Sequence, residues 1–301
     1  MKFNEKKICI VIPHKGVGDI IFHNFFIKSI SKFYNKKITI FVNFSTKANH
    51  IYKNNSYIEK IVFMDLKRPK KIFYIFKIIK IIFEISKNDI NELYYTGNSK
   101  WHKLAFKIAS IIKGFNFKYI RKRKKLIIQH LVDFLKQISV KRINSYIPES
   151  NIKISKTFRK KLRNLKKPWI FLSIDTSENQ ITIPNTLLVK ILKKLTKKSG
   201  QIFINTNRSN SFKTKFLKDK QIIKTDKFNI SEISYIIKNS SLFIGNESGP
   251  AVIASLFCKK NVIFFNKNVL PETSLMPFKN NRKYFKITSH QKNSNEILNV
   301  I

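Results

Sequence analysis

Glycine is scarce in this chain, 7 in 301 residues, and it has only 2 cysteines and 17 acidic residues. Each shortage excludes something. Cys9 and Cys258 form no CxxC pair and have no neighbouring histidine, which excludes a disulfide framework and a cysteine-ligated zinc site; both read as core thiols in a reducing compartment. The few carboxylates show no cluster with ligand spacing, so no metal and no resident cofactor are expected. Long apolar runs are missing too. The most apolar stretch, IFYIFKIIKIIFEI from Ile72 to Ile85, is interrupted by Lys77, Lys80 and Glu84 and falls short of the ~18 residues of a spanning helix. No membrane-crossing helix is expected. The first apolar run is short and lacks a small-residue cleavage site, so no signal peptide is expected either.

The shortage of acid leaves 60 Lys and Arg unbalanced, for a net charge of +43, which narrows partners to anionic ones: phosphates, nucleic acid or anionic lipid. The excess runs along the whole chain beside abundant Ile, Asn and Phe. It therefore reads as compositional bias as much as a binding device. The hydrophobic content of 43% suits a globular chain, and the length suits two α/β domains.

Apolar runs of strand length alternate with helical patterns through the first half: Lys7 to Ile12, Ile38 to Asn43, Lys60 to Met64, Glu92 to Thr96 and Lys118 to Arg121. Strand signal is lost over Ser145 to Lys167, where Pro148, Pro168 and the basic run KTFRKKLRNLKK mark a linker. A second series follows: Trp169 to Ile174, Gln201 to Thr206, a short QIIK, Ser241 to Asn246 and Asn261 to Asn266, with helices at Thr186 to Lys198 and Ile230 to Lys238. The pattern predicts two doubly wound parallel domains, 1–150 and 151–301, facing a cleft. The helix Lys70 to Lys87 carries a stripe of Lys77, Lys80, Glu84 and Lys87. It is read either as packed on its sheet or as lying on an anionic membrane surface.

Against so little glycine, two loops stand out. PHKGVGDIIF, Pro13 to Phe22, joins the first strand to a helix starting near Ile20, and holds Gly16, Gly18 and the lone carboxylate Asp19. GNESGPAVIAS places Ser248, Gly249 and Pro250 between a strand and the helix Ala251 to Phe257. Pro250 suits a first helical turn, and the free amides of Gly249, Ala251 and Val252 with the helix dipole make a site for an anion such as a diphosphate. The plainer alternatives are Asp19 as a helix cap and Ser248 as cap of an ordinary turn.

Five segments, in order, carry a resemblance: HKGVGDIIF, YTGNSKW (Tyr95 to Trp101), QHLVDFLKQI (Gln129 to Ile138), SSLFIGNESGPAVIASLF (Ser240 to Phe257) and LPETSLMPF (Leu270 to Phe278). Together the chain resembles glycosyltransferase family 9, the heptosyltransferase group that builds the inner core of lipopolysaccharide on a GT-B fold. The resemblance implies an inverting transferase that moves a sugar from a nucleotide-sugar donor to a lipid-linked or other envelope glycan acceptor. It implies a cytoplasmic protein, peripheral at the inner face of the membrane. Asp19 is then the base that deprotonates the acceptor, with His14, Lys15, Gly16 and Gly18 around the acceptor. Thr176, Ser177, Glu247, Ser248, Gly249 and Pro250 fall on the donor side, with Glu247 where the family usually has Asp. The nucleotide-sugar is a substrate, and helix amides stand in for a metal at the leaving diphosphate.

The chain departs from that pattern at Val252, where the family tends to have His, and at Ile181 in ITIP, where it tends to have Lys; DTSENQ lacks the usual Pro-Gly. Arg208 is the nearest compensating base by topology. These losses motivate a second expectation, an inactive GT-B relative that binds glycan or nucleotide. A third, nucleic-acid binding through KGFNFKYIRKRKK (Lys113 to Lys125), finds no RNP-like, KH or zinc pattern, so no specific nucleic-acid partner is expected.

Overall fold

The run ICIVI offers no polar position to solvent, as a strand covered on both faces requires, and all five residues of β1 (Ile8–Ile12) are buried. The computed structural model describes residues 7–14, 16–52, 55–66, 73–120, 127–143, 154–174, 183–197, 200–206, 219–258, 260–266, 281–287 and 294–301. The chain divides into two compact units, Met1–Asn151 and Ile152–Ile301.

In the first unit β1 is followed by α1 (Val17–Tyr34), β2 (Ile38–Asn43), the short α2 (Ala48–Tyr52), β3 (Ile58–Met64), α3 (Tyr74–Ser86), β4 (Glu92–Tyr95), α4 (Lys100–Lys113), β5 (Asn116–Tyr119) and α5 (Ile127–Gln137). The strands pair in parallel in the order β3-β2-β1-β4-β5. Successive side chains of a strand point to opposite faces, so β1 feeds two cores. Ile8, Ile10 and Ile12 meet Phe25 and Phe26 of α1 and Leu131 and Phe134 of α5. Cys9 and Val11 meet Ile81 and Ile85 of α3 and Ala105, Phe106 and Ala109 of α4. Burial, then the nearby Glu59 charge, pushes the Cys9 thiol up to about 12, which leaves it an inert core group. Cys258 is buried as well.

The second unit runs α6 (Lys156–Arg163), β6 (Trp169–Ser173), α7 (Asn185–Thr196), β7 (Gln201–Asn205), β8 (Ile222–Lys224), α8 (Ile230–Asn239), β9 (Leu242–Asn246), α9 (Gly249–Phe257), β10 (Lys260–Asn266), β11 (Asn281–Ile287) and α10 (Ser294–Val300). Its parallel sheet has the order β11-β10-β9-β6-β7-β8. Ile170 and Leu172 pack with Leu188, Ile191 and Leu192 of α7. The alternate residue Phe171 stacks on Phe243 with ring centroids 6.0 Å apart.

Two expectations change, and one strand is new. The basic run read as linker contains α6, capped by Ser155, whose Oγ accepts the Phe158 N–H at 3.1 Å. Phe158 and Leu162 are buried, so the run is an amphipathic helix of the second unit and its charges are its outer face. Gly18 and Asp19 lie in the first turn of α1 rather than in the preceding loop, because α1 begins at Val17. The strand β11 gave no recognised signal in sequence. Among the described residues no helix is long and apolar enough to cross a membrane.

Candidate functional site

A doubly wound sheet binds ligands beyond the carboxyl ends of its strands, where the strand order reverses. In the first unit that point lies between β1 and β4, so the loop after β1 meets the loop after β4. Asp19, half-buried at the start of α1, turns its Oδ2 back to accept the Gly16 N–H at 3.1 Å. The carboxylate is thereby a cap, held in one place at the switch point. Gly16 has an ordinary extended backbone, φ −88°. A Cβ there would sit 2.9 Å from Asp19 Oδ2 and push the carboxylate aside.

Below Asp19 lies a group that sequence reading did not assign. His23 is fully buried; its Nδ1 is 2.6 Å from the Asp19 carbonyl oxygen and its Nε2 is 2.9 Å from Thr96 Oγ1. A carbonyl only accepts, so Nδ1 carries the proton and Nε2 faces the Thr96 hydroxyl, which also lies 3.0 Å from the Val11 carbonyl. Burial, and then the neighbouring His14, pull His23 down to about 3, with its bond to the Asp19 carbonyl opposing; the imidazole is neutral at ordinary pH. His14 packs at 5.3 Å between ring centroids. The first turn of α1 is thus tied to β4 through one buried imidazole. The signals were present: His23 follows Asp19 by one helical turn, and Thr96 belongs to YTGNSKW.

Gly97 explains the glycine in that segment. A Cβ there would lie 2.3 Å from Pro13 Cγ and 2.5 Å from Tyr95 Oη, so the two loops approach as closely as they do only because the position has no side chain. Of the other first-unit candidates, His14, Gly16 and Gly18 share this corner with Asp19, and Lys15 lies outside the described residues.

In the second unit the order reverses between β6 and β9. Ser173 pairs with Gly245, and the buried Asn246 side chain donates to the Ile174 carbonyl, tying the ends of the two strands. A Cβ on Gly245 would meet the Ser173 carbonyl oxygen at 2.7 Å. Glu247, half-buried, donates its backbone N–H to Phe264 O at 3.0 Å. Ser248 occupies the cap position of α9 with no side-chain cap bond; its Oγ donates instead to Asn246 O at 3.0 Å. The plain capping alternative for Ser248 is therefore corrected: its hydroxyl belongs to the turn, and the first amides of the helix are left to another partner. The expected amide set is also corrected. Val252 N–H bonds Ser248 O at 3.1 Å, the first bond of the helix, which leaves Gly249 and Ala251, with Pro250 between them supplying no donor. Thr176, Ser177, Ile181 and Arg208 lie outside the described residues. Among the described residues no group of His, Cys, Asp and Glu has the arrangement of a metal site.

Two Rossmann-like units in tandem, each with a short loop and a helix start at its switch point, make this a GT-B architecture. No protein-family model matches the sequence. The chain is 23% identical to lipopolysaccharide heptosyltransferase 1 of Campylobacter coli, over 85% of this chain and 82% of that protein. In fold it is similar to the glycosyl transferase family 9 structure from Veillonella parvula, with a TM-score of 0.70 and 13% identity over 100% of this chain and 94% of that one. It is likewise similar to the ADP-heptose lipopolysaccharide heptosyltransferase II of E. coli, at TM-score 0.68 and 11% identity over 98% and 97% of the two chains. The chain has the fold of these proteins and resembles glycosyltransferase family 9.

Proposed function

We propose that this chain is a heptosyltransferase-like glycosyltransferase: an inverting enzyme that takes a heptose from an ADP-sugar and joins it to a lipopolysaccharide-type, lipid-linked acceptor. The observation that carries the reading is the Asp19 carboxylate, held at the first unit's switch point by a single backbone N–H. In the reaction Asp19 takes the proton of the acceptor hydroxyl. That oxygen attacks the anomeric carbon from the side opposite the diphosphate, and the carbon–diphosphate bond breaks with its electron pair. His14, Lys15, Gly16 and Gly18 border the acceptor. On the donor side the Gly249 and Ala251 amides and the α9 dipole offset the charge of the leaving diphosphate. Glu247 takes a sugar or ribose hydroxyl, and Thr176, Ser177 and Ser248 hydrogen-bond the nucleotide beside Pro250. No cofactor is required, because the nucleotide-sugar is consumed as a substrate. A lipid-linked acceptor makes the enzyme peripheral at the inner face of the cytoplasmic membrane.

Support comes from the likeness to a heptosyltransferase over most of the chain and from the position of both loops at the switch points of their sheets. The test is a thermal-shift panel of ADP-, UDP-, GDP- and CMP-sugars. A donor at about 100 times its Kd stabilises the native state by about 2.7 kcal/mol, and the ADP-sugar should do so selectively. A response to none of the four would favour the inactive relative in its glycan-binding form.

A further inference from the structure

Helices α3 and α4 pack side by side on one face of the first unit's sheet, and their inner faces are used up in its core through Ile81, Ile85, Phe106 and Ala109. A helix so placed needs one apolar stripe and shows water a polar one. Both helices instead carry a second apolar stripe outward. On α3, Phe76 (72% exposed), Ile79 and Phe83 follow at helical spacing. On α4, Trp101, Leu104 and Ile111 (74% exposed) do the same. Most of the large exposed hydrophobics among the described residues lie on these two helices.

Charge on the same helices is mostly positive. Lys77, Lys80, Lys100, Lys103, Lys107 and Lys113 stand against Glu84 alone. Glu84 is met by Lys87 at 3.1 Å, and Lys77 turns in to Asp65, whereas Lys80, Lys100, Lys107 and Lys113 are exposed. Rings and branched chains flanked by ammonium groups match the boundary of an anionic bilayer, where apolar side chains enter among the acyl chains and lysines reach the headgroup phosphates. A second copy of the chain is a poorer match, because it would set lysine against lysine.

We propose that the outward α3–α4 face docks this protein on an anionic membrane surface. The inference deepens the lipid-linked acceptor reading and rests on it for its purpose; the face itself stands on exposure and charge. Full-length protein is mixed with phosphatidylcholine vesicles with and without phosphatidylglycerol, and binding is read without turnover, so failure here and failure of sugar transfer are distinguishable. Trp101 is 39% exposed on the face, while Trp169, in the other unit, is 5% exposed and supplies a constant background. On phosphatidylglycerol vesicles Trp101 emission should shift to the blue, be quenched by acyl-brominated lipid, and keep part of that quenching in about 1 M salt, where the Debye length is ~3 Å. Phe76→Ser, Ile79→Ser and Phe83→Ser together should weaken vesicle affinity about tenfold or more, with circular dichroism and melting unchanged. Lys32→Gln and Lys37→Gln, at and just after the end of α1 on the opposite face of the same sheet, should change it by about threefold or less. Absence of quenching overturns the proposal, as does equal affinity of the serine variant and the parent. A dimer that the serine substitutions dissociate, without vesicle binding, would assign the face to a second copy and overturn it too.

Discussion

Replacing Asp19 with asparagine separates the cap seen in the structure from the base role proposed above. In the structure the carboxylate makes one backbone bond, Oδ2 to the Gly16 N–H at 3.1 Å. An asparagine carbonyl oxygen can occupy that place, so the cap survives and stability should change by no more than about 0.5 kcal/mol. Alanine removes the acceptor and should cost about 0.5–2 kcal/mol. Catalysis responds differently, because neither residue can take the acceptor proton. Turnover should fall by roughly 10²–10⁴ in both, equivalent to about 3–5 kcal/mol of barrier. The assay pairs nucleoside diphosphate release, with an ADP-heptose donor and an envelope glycan acceptor, with urea unfolding of the same preparations. The donor KM should hold steady, since the proposed role of Asp19 is toward the acceptor. An asparagine variant that turns over within about threefold of the parent would refute the base assignment and leave Asp19 as a cap.

Acid should destabilise the first unit through its buried histidines. His23 is held down to about 3, and His102, where burial dominates and Lys77 adds to it, to about 4. With folded values below the unfolded one, the contribution is complete above ~6.5 and is lost as pH falls toward the folded value, by about 1.4 kcal/mol per pH unit per histidine. From about pH 7 to pH 5 each therefore removes about 2 kcal/mol, and His23→Gln should flatten urea-derived stability against pH by its share; an unchanged slope would refute the buried neutral assignment. Gly97→Ala places a carbon 2.3 Å from Pro13, should cost about 1–3 kcal/mol as overpacking, and should lower turnover with it by moving the Asp19 corner; a variant with the parent's melting point and rate would show that the two loops separate freely.

Much of the fold was legible in order and type of element. β1, β6 and β9 are runs of consecutive buried residues, and such runs between helical patterns specify parallel units whatever the details. The glycine-marked turns were legible for the same reason: in a chain this poor in glycine, a cluster marks backbone that must pass close to something. β11 was not legible, because its sequence NRKYFKI lacks a continuous apolar run and pairs only through the neighbour β10. KTFRKKLRNLKK was read as linker because cations outnumber Phe158 and Leu162, and only packing against the second unit distinguishes its inner face.

The sequence by itself determined that two series of strands alternate with helices, that a carboxylate and two glycines follow the first strand, and that Pro250 opens a helix after GNES. Those properties are local, set by periodicity and by what each residue's backbone tolerates. Tertiary structure decided that the β4 loop meets the β1 loop, that His23 sits neutral beneath Asp19, that Gly97 makes room for Pro13, and that Ser248 turns back instead of capping α9. Each of these depends on strand order in the sheet, which brings residues some seventy positions apart, His23 and Thr96 among them, to the same switch point. It also decided which apolar residues of α3 and α4 face the core and which face outward, since both stripes have helical spacing and only the position of the sheet tells them apart.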